Sequence, residues 1–123
     1  NRSWTKAHDM AQEFDGAVNA IPWENRHDAL TGASLLVNTT NQGMHGETAL
    51  DLRLDLLPAN ALVSDIIYVP LETPLLSAAR LRGHITVNGL GMLLNQARPA
   101  FAAWFGIQPC VTPGLVTKIL ATF

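Results

Sequence analysis

The sequence has little charge, one cysteine and no long apolar run. Eight Lys and Arg against ten Asp and Glu leave a net charge of −2, whereas a nucleic-acid-binding domain carries a basic stripe and a high pI. Cys110 stands alone, which excludes a disulfide framework and a cysteine-based zinc site. No apolar run reaches the roughly 18 residues of a membrane span, and no secretory signal pattern is present. We therefore expect a soluble, cytoplasmic protein that binds neither nucleic acid nor membrane.

The shortage of charge is largest in the C-terminal third. Charged residues make up 15% of the 123 residues, against roughly 25% in typical domains, and Arg98 is the single charge between Thr86 and Thr117. A small domain exposes much of its surface and should need more charge than this. The composition therefore predicts that apolar surface is buried against another chain or against a further segment of a larger protein. The first residue, Asn1, is not a Met.

Helical and extended segments alternate along the chain, with a loop over 41–50. Spacing and breakers predict helices over 4–14, 23–30, 74–82, 92–105 and 112–121, and extended segments over 17–21, 35–40, 61–68 and 85–87. Such alternation is typical of an α/β fold with a mostly parallel sheet. Ligands of such sheets collect at the carboxyl ends of the strands, so the residues that follow the strands are the candidates for function.

Two of the predicted strands end in polar side chains. Asn38 and Thr40 can hydrogen-bond a ribose or a phosphate, although an ordinary polar loop satisfied by its own side chains explains them equally simply. Tyr68 can present its hydroxyl to a polar substrate, or it can be a core tyrosine bonded to backbone. Asp65, inside an apolar strand, needs donors, and we expect it to hold the N–H groups of a neighbouring loop.

The third strand is followed by a glycine-containing helix start. Gly89 and Gly91 allow backbone to pack closely against a flat ring. Met92 and Gln96 lie four apart on one helical face, and Gln96 suits a neutral polyol or a ring ketone, although a surface glutamine fits as well. The neighbouring apolar stripe is expected in the core: Leu93, Ala97, Phe101 and Trp104.

Together these segments resemble the shikimate dehydrogenase family, in order and over nearly the whole chain. Asn1-Arg2-Ser3 is similar to its Asn-Arg-Thr cofactor motif, with Ser in place of Thr. The other three matching segments are Asn38-Thr39-Thr40 through Gly43-Met44, Asp65 to Tyr68 with Pro70 and Thr73-Pro74-Leu75-Leu76, and Gly89-Leu90-Gly91-Met92-Leu93 with Gln96-Ala97. The resemblance implies a partial Rossmann-type dinucleotide-binding domain and NADP-dependent hydride transfer between shikimate and 3-dehydroshikimate.

The resemblance also implies roles for individual residues. Arg2 holds the 2′-phosphate of NADP, flanked by Asn1 and Ser3. Five further residues are expected at the cofactor: Asn38 and Thr40 at the ribose and pyrophosphate, Ile66 and Gly89 through their backbone at the nicotinamide, and Met92 beside that ring. Tyr68 and Gln96 are expected to contact shikimate, and no metal is expected.

The resemblance leaves part of the family's pattern unmatched. The family's N-terminal substrate domain, which carries a catalytic Lys–Asp pair, and the glycine-rich turn of the cofactor domain have no counterpart in residues 1–123. In the strand order 3-2-1-4-5-6 the first strand is central, so the 17–21 segment lacks a neighbour. We therefore expect an incomplete C-terminal NADP-binding domain that, alone, is inactive and folds poorly or forms a homodimer.

Two alternatives remain open at this point. The first is a quinate or quinate/shikimate dehydrogenase, which the unmatched substrate domain would distinguish. The second is a non-catalytic interaction module that keeps the nucleotide-binding frame and uses its weakly charged C-terminal third as a protein interface.

Overall fold

A parallel sheet of three short strands lies at the centre of the fold. The computed structural model describes residues 3–123. Its strands are β1 (Leu35–Asn38), β2 (Leu62–Asp65) and β3 (Ile85–Val87), in the order β1-β2-β3. Leu35 is opposite Leu62, and Leu62 is opposite Ile85. All carboxyl ends of the strands therefore lie at the same edge of the sheet, as the alternating pattern predicts.

Four α-helices surround or follow the sheet. They are α1 (Trp4–Gln12), α2 (Pro74–Leu81), α3 (Leu90–Phe105) and α4 (Pro113–Leu120), and two 3-10 turns cover Trp23–Asn25 and Asp28–Leu30. Helices α2 and α4 begin in the same way: a Thr hydroxyl accepts the N–H three residues on, and Pro occupies the first turn. A Pro at this position loses no intrahelical bond, so the Thr-Pro pairs at 73–74 and 112–113 define both starts.

The core lies between α2 and the sheet. Leu75, Leu76 and Ala79 recur at helical spacing and are buried, and Val63 in the central strand is fully inaccessible. Four further buried residues close the same cluster: Leu30, Leu54, Leu57 and Ala61. Burying apolar surface contributes about 25 cal/mol per Å², so this cluster is the main stabilising contact of the fold.

Three of the predicted segments differ from the structure. Residues 17–21 form no strand, residues 23–30 form two 3-10 turns instead of one helix, and the strand predicted over 61–68 ends at Asp65. The strand ends early because the Asp65 carboxylate accepts the N–H of Ile67 at 3.1 Å. The side chain thus takes the donor that a neighbouring strand would otherwise take.

The prediction that the stripe along α3 belongs to the core is wrong. Ala97 is exposed, Trp104 is 77% exposed, and only Leu94 of this helix is buried. An apolar cavity of ≈ 410 Å³ lies between α3 and α4, with Arg98 as its one charged lining residue. Among residues 3–123 no helix is long and apolar enough to cross a membrane.

Candidate functional site

The ends of the three strands are joined by backbone hydrogen bonds. The N–H of Ile66 donates to the carbonyl of Asn38 at 3.1 Å, and the N–H of Gly89 donates to the carbonyl of Ile67 at 2.9 Å. Asn38, Ile66 and Gly89, which the sequence places in three separate motifs, are therefore neighbours along one edge. This edge is the carboxyl end of the parallel sheet, where α/β folds bind ligands.

Gly89 is required by close packing of backbone. A Cβ at this position would lie 1.8 Å from the carbonyl oxygen of Ile66 and 2.3 Å from its carbon. The backbone of Gly89 is ordinary, with φ −75° and ψ −7°, so conformational freedom is not what it supplies. The missing side chain lets α3 begin directly against the end of β2.

The Asp65 carboxylate connects three segments of this edge. It is completely buried and accepts from the Asn38 amide Nδ2 at 3.2 Å to each oxygen, from the Thr73 hydroxyl at 2.7 Å and from the Ile67 N–H at 3.1 Å. A buried carboxylate is costly unless it has such donors. Asp65 thereby ties the loop after β1, the continuation of β2 and the start of α2. Its role is structural, as predicted, but it holds the neighbouring segments through side-chain donors rather than through the N–H groups of a loop.

The Asn38 side chain transmits this connection to the loop after β1. Its Nδ2 also donates to the carbonyl of Gln42 at 3.1 Å, while its Oδ1 accepts the backbone N–H of Thr40 at 3.0 Å and the Thr40 hydroxyl at 2.8 Å. The Thr40 hydroxyl in turn accepts the N–H of Gln42 at 3.1 Å. We call residues 38–42 the β1 loop; its fold is set largely by one amide.

A cleft of ≈ 290 Å³ runs along β1 and reaches this loop. Trp23 and Arg26 line one side of it, and Thr39 and Thr40 line the end at the carboxyl edge. Both threonines are exposed, whereas the Arg26 guanidinium donates to the carboxylate and the carbonyl of Asp51 and to the carbonyl of Trp23. The Thr39 hydroxyl and backbone groups of the loop therefore face this space, and such neutral groups suit a polyhydroxylated ligand.

Three further predicted site residues, Met92, Gln96 and Tyr68, lie after β2 or in α3. Met92 lies in the first turn of α3 beside Gly89 and is half exposed, and Gln96 is exposed one turn further on. The ring of Tyr68 lies 5.7 Å from the ring of Phe123, a neighbour that sequence reasoning did not suggest.

The remaining predicted cofactor residues lie at the start of the chain. The Ser3 hydroxyl caps α1 by accepting the N–H of Lys6 at 3.4 Å. Asn1 and Arg2 are outside the described residues.

Thr73 is the important residue of this edge that the sequence analysis passed over. It is 1% exposed, donates to Asp65 and accepts the Leu76 N–H at 3.3 Å. The Thr-Pro pair, which marks a helix start, could have predicted that Thr73 accepts the Leu76 N–H. Its bond to Asp65 joins residues eight apart in the chain and depends on the turn between them.

The chain is similar in sequence to curated dehydrogenases. The shikimate dehydrogenase (NADP(+)) of Nitrobacter hamburgensis is 51% identical over 115 residues, which cover 94% of this chain and 40% of that protein. No protein-family model matches the chain.

Solved structures of dehydrogenases have a fold similar to that of most of this chain. A quinate dehydrogenase from Corynebacterium glutamicum in complex with NAD has a TM-score of 0.84 at 27% identity, over 98% of this chain and 44% of that one. A shikimate 5-dehydrogenase from Thermus thermophilus in complex with NADP(H) and shikimate has a TM-score of 0.73 at 34% identity, over 89% and 40%. The chain thus spans less than half the length of the proteins it matches.

Proposed function

We propose that this chain is the NADP-binding part of an enzyme that interconverts 3-dehydroshikimate and shikimate. The chain is a homologue of the shikimate dehydrogenases and matches their C-terminal portion. The observation that carries the proposal is the convergence of three matching motifs at one edge, where Asn38 bonds Ile66 and Ile67 bonds Gly89. In this proposal residues 1–123 form an incomplete Rossmann-type domain, and the first strands and the substrate domain belong to a preceding segment.

The carboxyl edge has the chemistry that a dinucleotide needs. The exposed Thr39 offers its hydroxyl for a ribose or a pyrophosphate. The Thr40 hydroxyl gives its proton to Asn38 and can only accept a hydrogen bond from such a ligand. The start of α3 packs directly against the end of β2 because position 89 has no Cβ, and we propose that the backbone of Ile66 and Gly89 faces the nicotinamide ring. NADP, when bound, would accept or supply the hydride. Asn38 and Ile66 would shape the edge, and Met92 would pack at its apolar side.

Substrate contacts are proposed for Tyr68 and Gln96. The Tyr68 hydroxyl and the Gln96 amide are neutral groups that can donate to and accept from the ring hydroxyls of a polyol acid. The family resemblance assigns general acid–base catalysis to a Lys–Asp pair of the substrate domain, and we propose the same division of roles here.

A chimera tests this function directly. We expect the N-terminal portion of the Nitrobacter hamburgensis relative, fused ahead of this chain, to reduce NADP in the presence of shikimate, whereas the chain alone shows no turnover. The measurement is NADPH absorbance at saturating substrate. A soluble chimera that binds NADP and shikimate but does not turn over would contradict the assignment.

Arg2 should determine the preference between the two nicotinamide cofactors. Its guanidinium can grip a 2′-phosphate with two charge-assisted hydrogen bonds. We expect Arg2→Gln in the chimera to raise the KM for NADP by about 10- to 100-fold, corresponding to one or two such bonds, and to leave the KM for NAD unchanged. Arg82→Gln, a change at an exposed arginine after α2, is the matched control. Equal losses with both cofactors would remove Arg2 from the 2′-phosphate.

Quinate oxidation is the second candidate, favoured by the high structural similarity to a quinate dehydrogenase solved with NAD. The two activities differ in which acid the substrate domain accepts. Steady-state kinetics on quinate and on shikimate, measured with this chain joined to the preceding segment proposed above, therefore separates them. The cytoplasmic location and the homodimer stay predictions.

A further inference from the structure

The Asp65 carboxylate lies at the centre of the proposed cofactor edge but is out of reach of any ligand. Its exposure is zero, and its contacts are the Asn38 amide, the Ile67 N–H and the Thr73 hydroxyl. Replacing a complete buried polar cluster by well-packed apolar residues is often neutral for stability. The effect of the Asp65 charge therefore lies in the groups that it orients.

The carboxylate decides which way the Asn38 amide points. An ionised carboxylate only accepts hydrogen bonds, so the amide must direct Nδ2 at Asp65, where it lies 3.2 Å from both oxygens. Oδ1 must then point into the β1 loop, where it accepts from the N–H and the hydroxyl of Thr40. With the amide reversed, Oδ1 would face the carboxylate and Nδ2 would face the Thr40 N–H, so both ends would be repelled.

The oriented amide also fixes what the β1 loop can offer. The Thr40 hydroxyl proton goes to Asn38, and one lone pair of the same oxygen takes the Gln42 N–H. That hydroxyl has no proton left for a ligand. Donation to a ligand from this loop therefore comes from its backbone and from the exposed Thr39, in a geometry that exists before any ligand arrives.

We propose that Asp65 is the positioning residue of the β1 loop and acts on it through the Asn38 amide. The identity of the ligand that the loop receives rests on the proposed function, whereas the positioning itself does not. The effect of Asp65 passes from its carboxylate to the Asn38 amide and from that amide to Thr40.

Amide hydrogen exchange of the chimera, measured by NMR without ligand, tests this path. In Asp65→Asn one amide oxygen cannot serve the Ile67 N–H, the Thr73 hydroxyl and the Asn38 amide together. We expect the exchange rate of the Thr40 amide, relative to that of Ser64 in β2, to rise at least about tenfold, which corresponds to losing one hydrogen bond of ordinary strength. Urea is added to the more stable protein so that wild type and variants are compared at equal global stability, and the ratio then reports local opening at Thr40.

Thr73→Val is the matched control, because it removes a different partner of the same carboxylate. It should lower global stability and leave the Thr40 to Ser64 ratio within about twofold, since the Asn38–Asp65 contact is intact. An unchanged ratio in Asp65→Asn, or an equal rise in both variants, would overturn the proposal.

A reciprocal exchange keeps the test decisive if Asp65→Asn does not fold. Asp65→Asn combined with Asn38→Asp puts acceptor oxygens beside Thr40 and an amide donor opposite them. A folded double variant with a protected Thr40 amide supports the path, and a double variant that is unfolded or has an unprotected Thr40 amide contradicts it.

NADP titration of the same samples addresses the ligand separately. We expect Asp65→Asn in the chimera to weaken NADP binding about tenfold, because the ligand must then order the loop. Absence of any NADP-induced shift in the wild-type β1 loop would count against the proposed function, while the exchange ratios would still decide the positioning role. Normal NADP affinity with a loosened loop would show that the loop does not serve the cofactor.

Discussion

Replacing Gly89 by Ala is expected to destabilise the fold by about 3 kcal/mol, at the upper end of what overpacking costs. The added Cβ would lie 1.8 Å from the Ile66 carbonyl oxygen, and because that neighbour is backbone, no side-chain rotation can relieve the contact. The end of β2 and the start of α3 must separate. Urea unfolding of the chimera, followed by circular dichroism, measures the change.

Gly91→Ala is the matched control for this prediction. Gly91 lies two residues later in the same helix, and a Cβ there meets nothing within 4 Å. Ala is the better helix former, so we expect a gain of about 0.5 kcal/mol. Similar effects at the two positions would mean that the edge is not closely packed at Gly89.

Replacing Thr73 by Val is expected to cost about 3 kcal/mol, the sum of a lost N-cap and a lost hydrogen bond to a buried charge. Valine has nearly the same shape but neither donates to Asp65 nor accepts the Leu76 N–H. The measurement is again the urea midpoint and slope, since an unchanged slope shows that the loss is one of stability.

Thr112→Val separates the two contributions. Thr112 caps α4 through the Leu115 N–H at 3.2 Å, is followed by Pro113 as Thr73 is by Pro74, and is exposed. It should lose only the cap, about 1 kcal/mol. The difference between the two variants is then the contribution of the Thr73–Asp65 bond, and equal losses would show that this bond adds nothing.

Local patterns predicted most of the elements of this fold. The Thr-Pro pairs, the continuous apolar strand residues and the glycine before α3 are signals within a few positions of what they specify. Residues 17–21 failed as a strand because an extended segment becomes one only by pairing, and the partner is not a property of the segment. Trp104 failed as a core residue for a similar reason, since a stripe on a helix is buried only if another element covers it.

The fold class, the three motifs and the buried position of Asp65 in an apolar strand follow from local sequence patterns. The bonds of Asp65 to Asn38 and Thr73 do not, because those three residues come from different segments and meet only when the strands align. The tertiary structure also decided that Gly89 is needed for the closeness of the Ile66 carbonyl. The motif around Gly89 does not indicate which atom lies against the glycine. That atom is determined by how β2 and α3 pack.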